Sequence, residues 1–241
     1  MSEQPATVTE NPRESAYLLE QPPLPRYRHW EYAAVAPWLG RSALEVGSGM
    51  GVFSAQLAAH GLDRLVLSDT DDFFIRRLRE RYAGRPDIEF ASVTLPGKVE
   101  IGEPVESVVA MNVLEHIEDD VQALRDLAAV VTPGGRIVLW VPAYMQLYGD
   151  FDRKVGHVRR YTPETMRQTV ERAGMDVTYL RPLNFLGGVA WWIAVRRGGA
   201  ERPHPRLASL YDSIVVPISR TMERVVRPPF GQSIVCVATV A

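Results

Sequence analysis

Between Leu44 and Phe53 the chain reads LEVGSGMGVF, an acid followed by three glycines at alternate positions: Glu45, Gly47, Gly49 and Gly51. Glycine frees the backbone at a strand-to-helix turn and lets a ligand approach the peptide groups. In the dinucleotide fingerprint the third glycine comes three residues after the second; here the interval is two. A carboxylate at Glu45 would repel a pyrophosphate and suits a ligand carrying an ammonium group. Asp69 closes a second apolar stretch 18 residues after Gly51, where a carboxylate can accept bonds from both hydroxyls of a ribose. The competing structural reading is a plain strand–helix corner with Asp69 as a helix N-cap.

A second concentration of chemistry lies in AYMQLYGDFDRKVGHVRRYTPE, with Tyr144, Tyr148, Asp152, His157, Arg159, Arg160 and Tyr161. His157 is the candidate general base, since imidazole titrates near neutrality. Asp152 is placed to orient it or to hold a substrate amine. Arg159 and Arg160 could bind a carboxylate or phosphate, with Tyr144, Tyr148, Tyr161 and the more distant Trp191 completing a substrate surface. The alternative for Arg159, Arg160 and Tyr161 is anchoring of the loop by ion pairs. Residues 142–162 show no helical period and are long for a plain connection, so they read as a lid or substrate loop.

The elements that must position these residues alternate. SALEV, RLVLSD, IEFASV, ESVVAMNV, RIVLWVP and MDVTYL read as strands, separated by helical patterns over Val52–His60, Asp71–Tyr82, Asp119–Val131 and Thr162–Gly174. Pro133-Gly134-Gly135 reads as the turn that closes the third of those helices. The alternation predicts an α/β doubly wound, Rossmann-like sheet with ligands at the carboxyl ends of its strands. Residues 1–15 read as a disordered arm and 16–241 as one domain, with a helical cap over 16–40. Residues 184–228 read as a helical insertion before a last strand, SIVCVATV.

Strand, acid, glycine turn, helix, strand and acid, followed by Met111-Asn112-Val113-Leu114-Glu115-His116-Ile117 and Pro133-Gly134-Gly135, resemble the class I S-adenosylmethionine-dependent methyltransferases. The LEHI run is typical of their small-molecule branches. The resemblance implies seven strands, mostly parallel, with an antiparallel last strand. It implies S-adenosylmethionine as cofactor, with Glu45 near the methionine ammonium and Gly47 and Gly49 facing the ligand. Asp69, with Thr70 beside it, would hold the ribose, and Asn112, Val113 and His116 would lie along the methionine portion. Tyr27 and Trp30 match a Tyr-x-x-Trp seen before the first strand in similar enzymes, although hydrophobic packing explains them equally well. The family's frequent Asp after strand three is missing from FASVTLPG, which leaves Ser92 and Thr94 as the nearby hydroxyls for adenine. The LYGxxDxxxGHxRRY pattern also resembles a bacterial branch with varied small acceptors, including saccharide-linked ones.

Composition narrows the remaining classes. The 241 residues are 46% hydrophobic and 23% charged with net charge −2, which gives no global electrostatic case for nucleic acid. Cys236 is the single cysteine, so neither an intrachain disulfide nor a Cys-rich metal site is available, and no metal is expected. The polar N-terminus lacks the pattern of a signal peptide. The apolar run Leu183–Val195 is too short to span a bilayer, so a cytoplasmic protein without stable membrane insertion is expected. The expected activity is methyl transfer to oxygen or nitrogen of a small molecule, by analogy in bacterial specialised-metabolite biosynthesis. The alternatives are an enzyme of the same fold catalysing a cyclisation or elimination, and a catalytically silent binding partner; a homodimer stays open.

Overall fold

A computed structural model describes residues 24–196 and 205–241. The expected arm over 1–15, the start of the cap and the middle of the insertion lie outside the described residues. Seven strands form one sheet: β1 Ser42–Val46, β2 Arg64–Asp69, β3 Ile88–Ser92, β4 Val105–Met111, β5 Val131–Pro142, β6 Asp176–Leu183 and β7 Ser233–Thr239. Their spatial order is β3-β2-β1-β4-β5-β7-β6. Strands β1 to β5 pair in parallel, and β7 runs antiparallel to both β5 and β6. This is the expected doubly wound, mostly parallel sheet with an antiparallel last strand.

Strand residues alternate between faces, and parallel strands covered on both sides are apolar throughout. Along β5, Ile137, Leu139 and Val141 enter one core with β1 residues Leu44 and Val46. That core is closed by helices α4 (Asp120–Ala128) and α6 (Pro163–Arg172), through Leu124, Leu127, Met166 and Val170. Val138 and Trp140 point the other way, into a core with Ala43, Leu65 and Leu67. Helices α1 (Pro25–Val35), α2 (Ser54–Ala58) and α3 (Asp72–Arg81) cover that face with Trp30, Val35, Leu57 and Leu78.

Two local expectations change. Pro133-Gly134-Gly135 lies inside β5 rather than in a turn that closes α4, which ends at Ala128. The β4–β5 register jumps there, from Val105 opposite Val131 to Ser107 opposite Arg136. Gly135 is needed because a Cβ there would stand 2.8 Å from the carbonyl oxygens of both Glu106 and Thr132. The segment over 142–162 is not featureless either. It holds a 3-10 turn, Met145–Leu147, and the single-turn helix α5, Asp150–Lys154, both too short to display a period in sequence.

After β6 the insertion comprises α7 (Phe185–Arg196), α8 (Pro205–Leu210) and α9 (Val216–Val225), the last two joined through a π-helical stretch, Tyr211–Val215. Asp212 of that stretch accepts the backbone N–H groups of Arg26 (3.2 Å) and Tyr27 (2.9 Å). The insertion thereby caps the first turn of α1, whose own N-cap residue, Leu24, provides no side-chain acceptor. No helix among the described residues is long and apolar enough to cross a membrane.

Candidate active site

Strands β1, β4, β5 and β6 share a carboxyl edge, and the chain leaves each of them in a left-handed conformation. The residues are Gly47 (φ 73°), Asn112 (φ 54°), Tyr144 (φ 59°) and Asn184 (φ 64°). Non-glycine residues tolerate this region only where surrounding bonds impose it, which happens chiefly at functional edges. Asn112 is pinned by its N–H to the Trp140 carbonyl at 2.7 Å, and Tyr144 by its N–H to the Tyr161 carbonyl at 2.7 Å. At Gly47 any side chain is excluded, because a Cβ would sit 2.7 Å from Val113. The glycine turn therefore rests directly on the Asn112–His116 run.

Glu45 is 2% exposed. Its carboxylate accepts the Ser48 hydroxyl at 2.9 Å and the Ser54 hydroxyl in a shorter bond. Burial, with the nearby Asp69 charge adding to it, raises its pKa to about 7 against those two bonds. Asp69 accepts the Gly49 N–H at 2.8 Å and the Asp71 N–H at 3.1 Å, so the second acid touches the glycine turn itself. Burial pushes its pKa up, and the backbone donors oppose that. The helix cap is Asp71, which accepts the Phe73 N–H at 2.8 Å. Asp69 is therefore not the cap of α3. Thr70 and Thr94 are exposed on the same edge. Tyr27 and Trp30 pack edge-to-face at 6.4 Å, and Tyr27 also meets Trp140 and Tyr211. Trp30 is buried in the core, as the packing alternative had it.

The segment after β5 is organised around Asp152, which is fully buried. Arg160 donates to both of its oxygens, at 2.8 and 3.0 Å, and the Gly149 N–H donates at 2.9 Å. His157 Nδ1 lies 2.7 Å from Oδ1. Burial would raise the Asp152 carboxyl, but the bonds from His157 and Arg160 outweigh it and hold the pKa below the usual range. An ionised carboxylate can only accept, so Nδ1 carries the proton and Nε2 is left as the acceptor. Asp152 orients His157 and has no room for a substrate amine.

The other polar side chains of this segment are engaged within the protein. The Arg160 guanidinium is spent on Asp152, on the Ala143 carbonyl (3.3 Å) and on the Trp191 ring. Tyr161 is buried and donates to Asp120 at 2.9 Å. Arg159 pairs with Asp120 at 2.7 Å and reaches the Glu118 carbonyl at 2.7 Å. Tyr144 donates to the Pro229 carbonyl at 2.6 Å, Tyr148 to the His157 carbonyl at 2.7 Å, and Trp191 to the Leu147 carbonyl at 2.9 Å. The ion-pair alternative describes this segment.

Two groups at the edge escaped the sequence reading. Glu115 is fully buried, and neither carboxylate oxygen has a hydrogen-bond partner; burial lifts its pKa to about 8. An acid inside the otherwise apolar NVLEHI run was the available signal. His116 is driven down to about 4 by burial and by the neighbouring His157. The second group is Asn184, whose side chain holds Tyr211 and, at 2.7 Å, Gln232, and whose N–H meets Glu223 at 3.2 Å. Nothing in its sequence context marks it.

Residues 44–137 match the family model described as "Methyltransferase domain". The match runs from within β1 into β5. It is 30% identical over 103 residues to the ubiquinone biosynthesis O-methyltransferase of Paracidovorax citrulli, covering 42% of this chain and 43% of that one. Identity to a probable S-adenosylmethionine-dependent methyltransferase of Mycolicibacterium smegmatis is 29% over 143 residues, 57% and 53% of the two chains. The chain thus spans about half the length of these curated relatives. The methyltransferase fold is also that of the N-methyltransferase NodS from Bradyrhizobium japonicum, solved with S-adenosylhomocysteine. That structure matches with a TM-score of 0.58 at 18% identity, over 95% of this chain and 94% of that one.

Removing one partner of a buried ion pair strands the other. Arg160→Met is expected to lower unfolding stability by about 3–5 kcal/mol in urea denaturation, and adding Asp152→Leu to recover part of that loss. A cost for the single variant below about 1 kcal/mol would show an exposed, dispensable pair.

Proposed function

We propose that the protein transfers the methyl group of S-adenosylmethionine to an oxygen or nitrogen of a small molecule. The observation that carries this is the contact between Asp69 and the Gly49 N–H. It brings the acid suited to a ribose onto the turn suited to the methionine end, with the buried Glu45 behind. In this reading Glu45 faces the ammonium group through Ser48 and the turn. Gly47, Gly49 and the Asn112–Val113 backbone line the methionine portion, while Asp69 and Thr70 take the ribose, and Thr94 lies toward the adenine. Tyr27 and Trp30 form the packed wall behind the cofactor, and His116 belongs with His157 on the acceptor side.

Methyl transfer from a sulfonium needs an in-line nucleophile held near the carbon, and positioning supplies much of the rate. An acceptor that arrives protonated also needs a base. His157 Nε2, with Nδ1 fixed by Asp152, is the group arranged to take that proton. The ubiquinone-pathway relative supports an oxygen acceptor and the NodS structure a nitrogen one, each as a property of that protein. A role in bacterial specialised-metabolite tailoring is the biological setting we favour. Incubation with methyl-labelled S-adenosylmethionine and a panel of phenols, catechols and amines tests the reading by mass spectrometry. A labelled product supports it. A product formed without a methyl increment would instead identify a cyclisation or elimination.

Three outcomes are expected. Asp69→Ala weakens S-adenosylhomocysteine binding in calorimetry by about 1–3 kcal/mol; unchanged affinity would remove the ribose role. Glu45 has a raised pKa near 7, so its ionised form, which attracts an ammonium group, is lost as pH falls through that value. Wild-type affinity for S-adenosylhomocysteine should drop between pH 8 and pH 6 by up to about tenfold per pH unit below the pKa. Glu45→Gln should bind weakly at both pH values with little dependence; a slope equal to that of wild type would contradict the assignment. His157→Ala should lower turnover of a responding acceptor by about 10²–10⁴-fold with cofactor affinity near normal, and full activity would exclude it as the base.

A further inference from the structure

Beside the Asp152–His157 pair, Glu115 stands in the interior with both oxygens unpartnered. Its Oε1 lies 3.7 Å from His157 Nε2. The His116 ring meets the His157 ring edge-on, with centroids 4.7 Å apart. One donor atom from each of Glu115, His116 and His157 falls within 4.8 Å of the other two. In a tetrahedral site with bonds of about 2.1 Å the donors stand about 3.4 Å apart. The Glu115–His157 pair is already close to that spacing, and the widest pair would close by about 1 Å.

The surroundings are those that orient metal-binding imidazoles, which commonly donate their second N–H to a carboxylate or a carbonyl. His157 Nδ1 is fixed by Asp152, which is in turn fixed by Arg160 and Gly149. His116 shares a hydrogen bond with the Gly156 backbone. The Val158 N–H to the Glu115 carbonyl, at 2.9 Å, ties the two loops that bring the donors together. Gly156 (φ 81°) turns the chain immediately before His157.

We propose that Glu115, His116 and His157 form a binding site for one divalent first-row transition-metal ion. Two imidazoles and one carboxylate, without thiolate, suit Zn²⁺, Fe²⁺ or Co²⁺ better than the all-oxygen shells of Mg²⁺ and Ca²⁺. Three protein donors leave at least one position open. A bound ion gives the stranded Glu115 carboxylate its partner. The chemical consequence, unlike the binding itself, rests on the methyltransferase reading. An acceptor hydroxyl on the open position would be acidified as metal-bound water is, and its proton would pass to solvent. The oxygen would then form the new C–O bond as the C–S bond of S-adenosylmethionine breaks, the electron pair staying on sulfur. His157 would serve this form as a ligand rather than as the base.

The test is a titration of chelator-treated full-length protein with Co²⁺ as the probe, followed by visible absorption. One Co²⁺ per chain with visible bands, displaced by Zn²⁺, is expected. Glu115→Gln and His116→Gln should each weaken Co²⁺ binding at least about tenfold, with circular dichroism and unfolding midpoint verifying the fold. Absence of Co²⁺ binding, or binding that both folded variants retain unchanged, overturns the site. Should the variants not fold, X-ray absorption of the wild-type Co²⁺ form decides: two imidazoles in the shell support the site, and fewer overturn it. Labelled methyl transfer that survives chelation in a protein that binds no Co²⁺ removes the metal site and leaves the methyltransferase reading standing. Co²⁺ binding without binding of S-adenosylhomocysteine does the reverse.

Discussion

One buried carboxylate governs the segment that follows β5. Asp152 takes two bonds from Arg160, one from the Gly149 N–H and one from His157. An ionised group without water must have every lone pair engaged, and here each engagement also fixes a piece of chain. The Gly149 bond starts α5, the Arg160 bonds pull the far end of the segment back under its beginning, and the His157 bond sets the imidazole tautomer. The Arg160 guanidinium then lies over Trp191 of α7, which carries the same constraint into the insertion. A segment of this length without such a centre would have to be held by surface contacts alone.

The neighbouring edge depends on a different constraint, the close approach of the β1 turn to the run after β4. Val113 fills the space a side chain at Gly47 would occupy, and Trp140 fixes the backbone at Asn112. Parallel strands deliver their chain ends to one edge. There, left-handed residues turn the chain as it leaves four of them, at Asn184 directly into α7. The edge is bordered by two buried acids, Glu45 and Glu115, whose pKa values burial raises to about 7 and about 8. Such paired perturbation is characteristic of sites built for chemistry.

Much of this was legible in the sequence. Apolar runs of strand length alternating with helical periods specified the sheet, and the Gly47–Gly51 spacing specified the turn after β1. What escaped reading shares one physical cause: it depends on partners distant in sequence. Arg159, Arg160 and Tyr161 look like an anion-binding cluster until Asp152 and Asp120 are brought beneath them. Asp152 reads as orienting His157 or as holding a substrate amine, and only its complete burial separates the two. Asn184 and Glu223 carry no local pattern, because their role is to hold the insertion to the end of β6. Pro133-Gly134-Gly135 resembles a helix stop, and only the pairing of β4 with β5 shows it to be a bulge.

The bond between Asp212 and the N–H groups of Arg26 and Tyr27 joins residues separated by 186 and 185 positions. β6, moreover, reaches the sheet only through β7, at the chain's far end. During synthesis the first helix therefore emerges long before its cap exists, and β6 long before its neighbour. Non-local closure of this kind is slow and leaves apolar surface uncovered in the meantime. The packing of Tyr27 against Tyr211 therefore waits for residue 211, and the pairing of β6 with β7 comes later still. A nascent chain can pair β1 to β5 and form the glycine turn well before α1 is capped or β6 is paired.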